Sequence, residues 1–223
     1  MIARELVGTA SVPGHRGELR CYRHDRDFAI WIDRTELMSS RVHGSEEALA
    51  ELGLAHLGDR AQSRVLIGGL GMGFTLARAL ALVPDDATID VAEIVPAVVE
   101  WNRELFGHCA GHPLRDPRAH VFVGDVADAI AAAKAEYDAI LLDVDNGPEG
   151  LSRPANDRLY DPRGLAAIHT ALRPGAVLAV WSSADHHAFE ARLRRAPFRV
   201  ETHHVRARRS KGPRRTIWVA ARR

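Results

Sequence analysis

The sequence predicts an α/β protein built on a Rossmann-like sheet of seven mostly parallel strands, with helices on both faces. Two observations support this fold class. Beyond Arg60, short apolar runs alternate with helical segments, a pattern typical of parallel strands joined by crossover helices. Near the C-terminus, two extended runs flank the turn-forming residues 210–213, so we expect the sheet to close with an antiparallel hairpin.

Residues 1–58 are expected to form a small N-terminal β-hairpin and helix. Apolar and polar residues alternate over 17–34 on both sides of a polar turn at 24–27, which predicts the hairpin. Ser45, followed by two glutamates, predicts a helix start, since a hydroxyl can cap free amides and acids suit the positive end of the helix dipole; this helix should run to about Leu57. Because a hairpin alone is not stable in water, it should pack on the core or on another subunit of a homodimer.

The main domain is expected over residues 59–223, a length that suits one α/β core. Its parallel strands are short and apolar, and they are predicted at 64–68, 88–92, 119–123, 138–143 and 176–181. The closing hairpin is predicted at 198–206 and 215–221. Helices are predicted near 73–82, 95–106, 126–135, 161–171 and 185–195.

The first strand of the main domain runs into a glycine-rich turn, residues 68–73, and then into a helix. Glycines let the backbone turn sharply and approach a ligand closely, and the helix N-terminus offers free amides. A strand-to-helix turn can need glycine without any ligand, so the motif gains meaning only from its surroundings. With those surroundings, we predict that Gly69, Gly71 and Gly73 contact a bound nucleoside cofactor.

Two acids end the next two strands. Glu93 comes about 20 residues after the glycine turn, where a carboxylate can accept hydrogen bonds from both hydroxyls of a ribose. Asp125 can accept a hydrogen bond from an adenine amino group, or cap the helix that follows it, or do both. Since ligands of such sheets bind at the carboxyl ends of the strands, these acids and the glycine turn together predict a nucleoside site.

The predicted fourth strand delivers another acid, Asp143, into the same crevice. The chain resembles the spermidine synthase family. The resemblance covers the N-terminal hairpin, the glycine turn and residues 91–100, 124–125 and 137–148. That family lies within the superfamily of S-adenosylmethionine-dependent methyltransferases, which supports the predicted sheet.

The resemblance implies a role for each of these acids. Glu93 would hold the ribose of an S-adenosyl cofactor, Asp125 its adenine, and Asp143 would lie next to the transferred group. A carboxylate there can accept a proton from an amine nucleophile or steer its charge. The alternative for Asp143 is a carboxylate that satisfies backbone amides at a strand end.

Several positions depart from the family's pattern. Family members usually carry an acid in the glycine turn that holds the amino end of decarboxylated S-adenosylmethionine, and here that position is Gly71. A second acid is replaced by Asn146, and the aromatic and amide or histidine residues of the family's substrate wall are missing around Glu46 and Glu47.

These departures favour methyl transfer from intact S-adenosylmethionine to a small-molecule acceptor. The glycine spacing is that of ordinary methyltransferases, whose backbone can receive the carboxylate of the intact cofactor. Aminopropyl transfer from decarboxylated S-adenosylmethionine and a non-catalytic nucleoside-binding protein stay open as alternatives.

Four residues are expected to contact the acceptor. Asp145 and Asn146 follow the fourth strand, and Trp181 closes the fifth. Tyr160 ends a polar loop that lies where a lid would cover the cofactor, although such a loop can equally be a surface crossover.

Composition excludes other classes. With 46% apolar and 26% charged residues, and no apolar run near the roughly 20 residues of a membrane span, we expect a soluble protein. The first residues lack the features of a secretory signal, so we expect a cytoplasmic protein. Neither the two cysteines nor the adjacent histidines have the spacing of a metal site. Basic residues crowd the stretch 192–223, but few aromatics lie among them, which favours a solvated face over a nucleic-acid surface.

Overall fold

The computed structural model describes residues 4–14, 17–144, 157–208 and 210–223. Its N-terminal part is a four-stranded antiparallel sheet in the order β1-β2-β3-β4. The strands are β1 (Glu5–Ser11), β2 (Glu18–His24), β3 (Asp27–Ile32) and β4 (Thr35–Ser39). The predicted hairpin is confirmed as β2 and β3, which bury one face through pairs such as Leu19 opposite Ile32.

The predicted seven-stranded sheet is confirmed, in the order β10-β11-β9-β8-β5-β6-β7. Strand β11 runs antiparallel to both of its neighbours, β10 and β9, and all other adjacent strands are parallel. The strands are β5 (Arg64–Gly68), β6 (Thr88–Glu93), β7 (Ala119–Val123), β8 (Tyr137–Leu142), β9 (Leu172–Ser182), β10 (Phe198–Arg208) and β11 (Lys211–Arg222). The helices are α1 (Gly44–Leu54), α2 (Phe74–Leu80), α3 (Pro96–Glu104), α4 (Val126–Ala132), α5 (Asp157–Tyr160), α6 (Pro162–Ala171) and α7 (His187–Arg195).

The start of α1 differs from the prediction. The N-cap position is His43, and Ser45 lies inside the first turn, where its buried hydroxyl donates a hydrogen bond of 2.7 Å to the Glu46 carboxylate. Ser45 therefore does not cap the helix, because its hydroxyl is engaged by a neighbouring side chain instead of a free amide.

Helix α1 packs directly on the main sheet. A Cβ atom at Gly53 would collide with Leu141 on β8, so only glycine allows this close approach. One cluster of buried side chains contains Leu19 of the N-terminal sheet, Leu49 of α1 and Ile67 of β5. The division at residue 58 stays a prediction, since the two parts share this core.

The strand order creates a crevice for a ligand. Strand β5 lies between β6 and β8, so the chain leaves β5 toward one side and later returns to its other side. Ligands of open α/β sheets bind at such a switch point, outside the carboxyl ends of the strands. Within the described ranges, no helix is long and apolar enough to span a membrane.

Candidate functional site

A pocket lies at the carboxyl ends of β5, β6 and β8, and the N-terminal sheet covers it. The main sheet contributes the glycine turn, the ends of β6 and β8, and the start of α4. Apolar side chains of the N-terminal part form the roof of the pocket: Val12, Leu19, Ile30, Leu37 and Met38. Glu46 of α1 and Trp181 of β9 also line it.

The glycine turn takes backbone angles that suit glycine. Gly69, Gly71 and Gly73 have φ values of 90°, 52° and 84°, in the left-handed region. A Cβ atom at Gly69 would collide with the carbonyl oxygen of Asp143, so the turn can lie against the end of β8 only with glycine there.

The three predicted glycines do not occupy equivalent places. Gly69 and Gly71 line the pocket, whereas Gly73 is the N-cap residue of α2 and packs toward Pro113 and Asn102. Asn102 was not predicted as a site residue. Its amide group donates a hydrogen bond of 2.7 Å to the Gly71 carbonyl, so it fixes the turn from behind.

Glu93 joins the glycine turn to the end of β6. One carboxylate oxygen accepts a hydrogen bond of 3.0 Å from the Leu70 amide, and the other accepts one of 2.8 Å from the Val95 amide. Burial raises the pKa of Glu93, and these backbone hydrogen bonds oppose the shift. Each carboxylate oxygen can accept a second hydrogen bond, so the group can hold the turn and a ligand together.

Asp125 is the N-cap of α4, as one of its two predicted roles required. One carboxylate oxygen accepts a hydrogen bond of 2.9 Å from the Ala127 amide. The other accepts a hydrogen bond of 2.8 Å from Arg158, which was not predicted as a neighbour. Asp125 also lines the pocket, so an adenine amino group bound there would share this carboxylate with the arginine.

Asp143 lies next to two groups in the pocket. The Thr75 hydroxyl donates a hydrogen bond of 2.7 Å to its carboxylate and lies 3.4 Å from the backbone oxygen of Glu46. Burial raises the pKa of Asp143 to about 6, against the effect of the Thr75 hydrogen bond. Burial, and then the charge of Asp143, raise the pKa of Glu46 to about 7.

Glu46 is therefore a candidate site residue that was not among the predicted ones, although the resemblance places the family's substrate wall around Glu46 and Glu47. In the sequence it reads as an ordinary acid at the start of a helix, where it would favour the helix dipole. Only the packing of α1 against β8 brings its carboxylate to Asp143.

The residues predicted to contact the acceptor have different positions. Trp181 lines the pocket and is buried, with the Arg215 guanidinium 5.6 Å from the centre of its ring. Tyr160 does not line the pocket, because its ring is buried in the core against Phe189, with 5.3 Å between the ring centres. The other two residues predicted to contact the acceptor, Asp145 and Asn146, lie outside the described residues. Most of the predicted lid loop also lies outside them.

We expect Glu46→Gln to stabilise the unliganded protein near pH 8 and to have little effect near pH 4.5. The pKa of Glu46 rises from 4.5 to about 7 on folding, so the free energy of unfolding falls as the pH rises through this window. A neutral glutamine avoids this loss, which is about 3 kcal/mol at the upper end. Urea unfolding at both pH values measures the gain. Glu47→Gln, which removes a carboxylate ion-paired to His43, should show no such gain.

Comparison with known proteins places these features in context. A family model described as the spermine/spermidine synthase domain matches residues 43–192. Putrescine N-methyltransferase 2 from Nicotiana attenuata is 41% identical over 116 residues, which cover 52% of this chain and 29% of that protein. A polyamine aminopropyltransferase from Mycobacterium tuberculosis is 30% identical over 156 residues, 66% of this chain and 29% of that protein.

The matched stretch thus covers less than a third of the length of these curated relatives. Among solved structures, the crystal structure of spermidine synthase from Thermotoga maritima superposes with a TM-score of 0.77 at 18% identity. That match covers 98% of this chain and 73% of the other, and at this identity it supports the fold.

Proposed function

Because the chain belongs to the spermine/spermidine synthase family, we propose that it binds intact S-adenosylmethionine and transfers the methyl group to a small-molecule amine. The observation that carries the choice of methyl transfer is Gly71. It lines the pocket at the position where members of the family usually carry an acid that holds the amino end of the decarboxylated cofactor. The similarity to a putrescine N-methyltransferase supports the same choice, and the similarity to a polyamine aminopropyltransferase supports the alternative.

The residues present fit an S-adenosyl group. The backbone of Gly69 and Gly71 lines the pocket without a side chain, and the Glu93 carboxylate keeps acceptor capacity beside it. In this proposal Glu93 holds the ribose, Asp125 the adenine amino group, and the backbone of the glycine turn the methionine end. When bound, the cofactor supplies a methyl group on a positively charged sulfur.

The remaining chemistry falls to the chain's own residues. An amine that enters as an ammonium must lose one proton before its nitrogen has a lone pair, and the Asp143 carboxylate is placed to accept that proton. The nitrogen–methyl bond would then form as the sulfur–methyl bond breaks, which leaves the product as a methylammonium and the cofactor as a neutral thioether. The Thr75 hydroxyl holds Asp143 in position through their hydrogen bond of 2.7 Å. The apolar roof of the pocket excludes water from the reacting groups, which strengthens their electrostatic interactions.

Calorimetry with both cofactors tests the proposal. We expect the unmodified protein to bind intact S-adenosylmethionine more tightly than the decarboxylated form. Gly71→Asp should weaken the intact cofactor by about tenfold or more, because a new carboxylate would lie against the carboxylate of the cofactor. The same substitution should improve binding of the decarboxylated form.

Gly71→Asn is the matched control for this substitution. Asparagine and aspartate both tolerate left-handed backbone angles, and both would contact Met38, so the two variants differ mainly in charge. If both variants lose the intact cofactor equally, space and not charge sets the preference. Efficient formation of spermidine from putrescine by the unmodified protein would overturn methyl transfer and leave the nucleoside site standing.

A further inference from the structure

In the described part of the chain, three carboxylates line the pocket without a basic partner: Glu46, Glu93 and Asp143. Backbone amides hold Glu93, whereas the charge of Asp143 acts on Glu46. Among the described residues, no arginine, lysine or histidine lies within 4 Å of the carboxylate of Glu46 or Asp143. Both groups line the same pocket, and the Thr75 hydroxyl contacts both residues. Two acids brought together away from water repel each other and lose hydration, which is unfavourable unless a positive charge joins them.

The other acids of α1 do have basic partners. Glu47 lies 2.9 Å from the ring of His43, and Glu51 lies 2.9 Å from the guanidinium of Arg78. Glu46 instead receives a hydrogen bond from the neighbouring Ser45 hydroxyl, which carries no charge. The helix thus has a basic side chain next to each of its other acids, but not next to the acid that faces the pocket.

From this arrangement we propose that Glu46 is a specificity-determining residue, which together with Asp143 forms a paired-carboxylate seat for the positively charged nitrogen of the acceptor. The inference rests on the proposed function and extends it, because it names a residue that selects the substrate. The acceptor would be an amine that enters as a cation, with its carbon chain under the apolar roof.

The surroundings of Glu46 are consistent with this seat. Arg215 on β11 is a cation that acts on Glu46 from a distance and lowers its pKa, while burial and Asp143 raise it. The guanidinium of Arg215 lies over the Trp181 ring and donates a hydrogen bond to the Ser183 carbonyl, so it does not form an ion pair with the Glu46 carboxylate. Trp181 itself also lines the pocket.

Proton exchange follows from this geometry. Burial and the charge of Asp143 raise the pKa of Glu46 to about 7, so we expect Glu46 to be partly protonated in the free protein near neutral pH. A bound ammonium supplies the missing positive charge and makes this proton unnecessary. Acceptor binding should therefore release a proton to the buffer.

The experiment compares Glu46→Gln with Glu47→Gln, an adjacent acid outside the pocket. With putrescine as the acceptor and intact S-adenosylmethionine, we expect Glu46→Gln to raise KM by about 30-fold, and Glu47→Gln by less than about twofold. Affinity for S-adenosylmethionine should stay within about twofold in both variants. Glu46→Asp should recover part of the loss, because it restores the charge on a shorter side chain.

Calorimetry supplies a readout that a structural role would not change. Putrescine is titrated into protein saturated with S-adenosylhomocysteine, in two buffers with different ionisation enthalpies, at a pH near 7. The unmodified protein and Glu47→Gln should release part of a proton for each putrescine bound, and Glu46→Gln should release clearly less.

Three outcomes would overturn the inference. One is an equal KM for the two glutamine variants, and another is equal proton release. The third is a loss of S-adenosylmethionine affinity in Glu46→Gln with KM for putrescine unchanged, which would place Glu46 at the cofactor. If no methylated product forms but putrescine binds with proton release that depends on Glu46, the seat stands and the proposed methyl transfer fails.

Discussion

Glu93→Ala is expected to abolish binding of S-adenosylmethionine. The substitution removes the proposed acceptor for two ribose hydroxyls, and it also frees the Leu70 and Val95 amides that the carboxylate now holds. Hydrogen bonds to charged groups contribute about 1.5–3 kcal/mol each, so losing two of them with the ligand weakens binding by roughly a thousandfold or more. Calorimetry and the rise of Tm on addition of the cofactor measure this loss.

Two further variants separate the contact from the fold. Glu93→Gln keeps the shape and one acceptor oxygen, so it should stay folded and still bind the cofactor far more weakly than the unmodified protein. Glu100→Ala removes an exposed acid on α3 and should leave affinity unchanged. If Glu93→Gln binds S-adenosylmethionine with normal affinity, the assignment of Glu93 to the ribose is rejected.

The central strands of the main sheet could be predicted because they are buried on both faces. Every residue of β8 is buried, and such strands read as continuous apolar runs. Strands β1 and β4 carry a weaker signal, since most of their side chains are exposed or half-buried and Leu6 is 50% exposed. They become strands because β2 and β3 offer them edges to pair with, which a local pattern does not reveal.

The residues of the candidate site also differ in how well the sequence predicts them. Glu93, Asp125 and Asp143 each follow a strand of the parallel sheet, and the rules of such sheets bring the carboxyl ends of these strands together. Those acids could therefore be predicted. Glu46 comes from an element outside the sheet, whose place depends on how α1 docks. Its own residue pattern indicates a helix start, and the resemblance to the family adds only that the substrate wall lies nearby.

Tyr160 is the reverse case. The sequence predicts a contact with the acceptor because Tyr160 ends a polar loop, and this contact stays a prediction, since the polarity of a loop does not tell which way its last aromatic ring points. The ring packs against Phe189 in the core, and the backbone carbonyl of Tyr160 accepts a hydrogen bond of 2.7 Å from Arg192. Burial of a large aromatic side chain is favourable enough to decide its direction.

Asp143→Asn is expected to lower kcat by about 10²–10⁴-fold and to leave S-adenosylmethionine affinity nearly unchanged. Asparagine can still accept the Thr75 hydrogen bond through its oxygen, so the local geometry survives. What it loses is the ability to accept a proton from the amine. Single-turnover rates and calorimetry with the same preparations measure the two quantities separately.

The pH dependence of kcat/KM gives a second, independent test of the role of Asp143. Asp143 must be ionised to accept a proton, and burial raises its pKa to about 6, so the rate of the unmodified enzyme should rise with pH through that region. The Thr75 hydrogen bond stabilises the charged form and lowers this pKa. Thr75→Val should therefore move the acid limb of the profile to higher pH, with a much smaller loss of the maximal rate than Asp143→Asn causes. If Asp143→Asn keeps its turnover, or if Thr75→Val leaves the acid limb in place, another group accepts the proton. Asp143 then has only a structural role at the end of its strand.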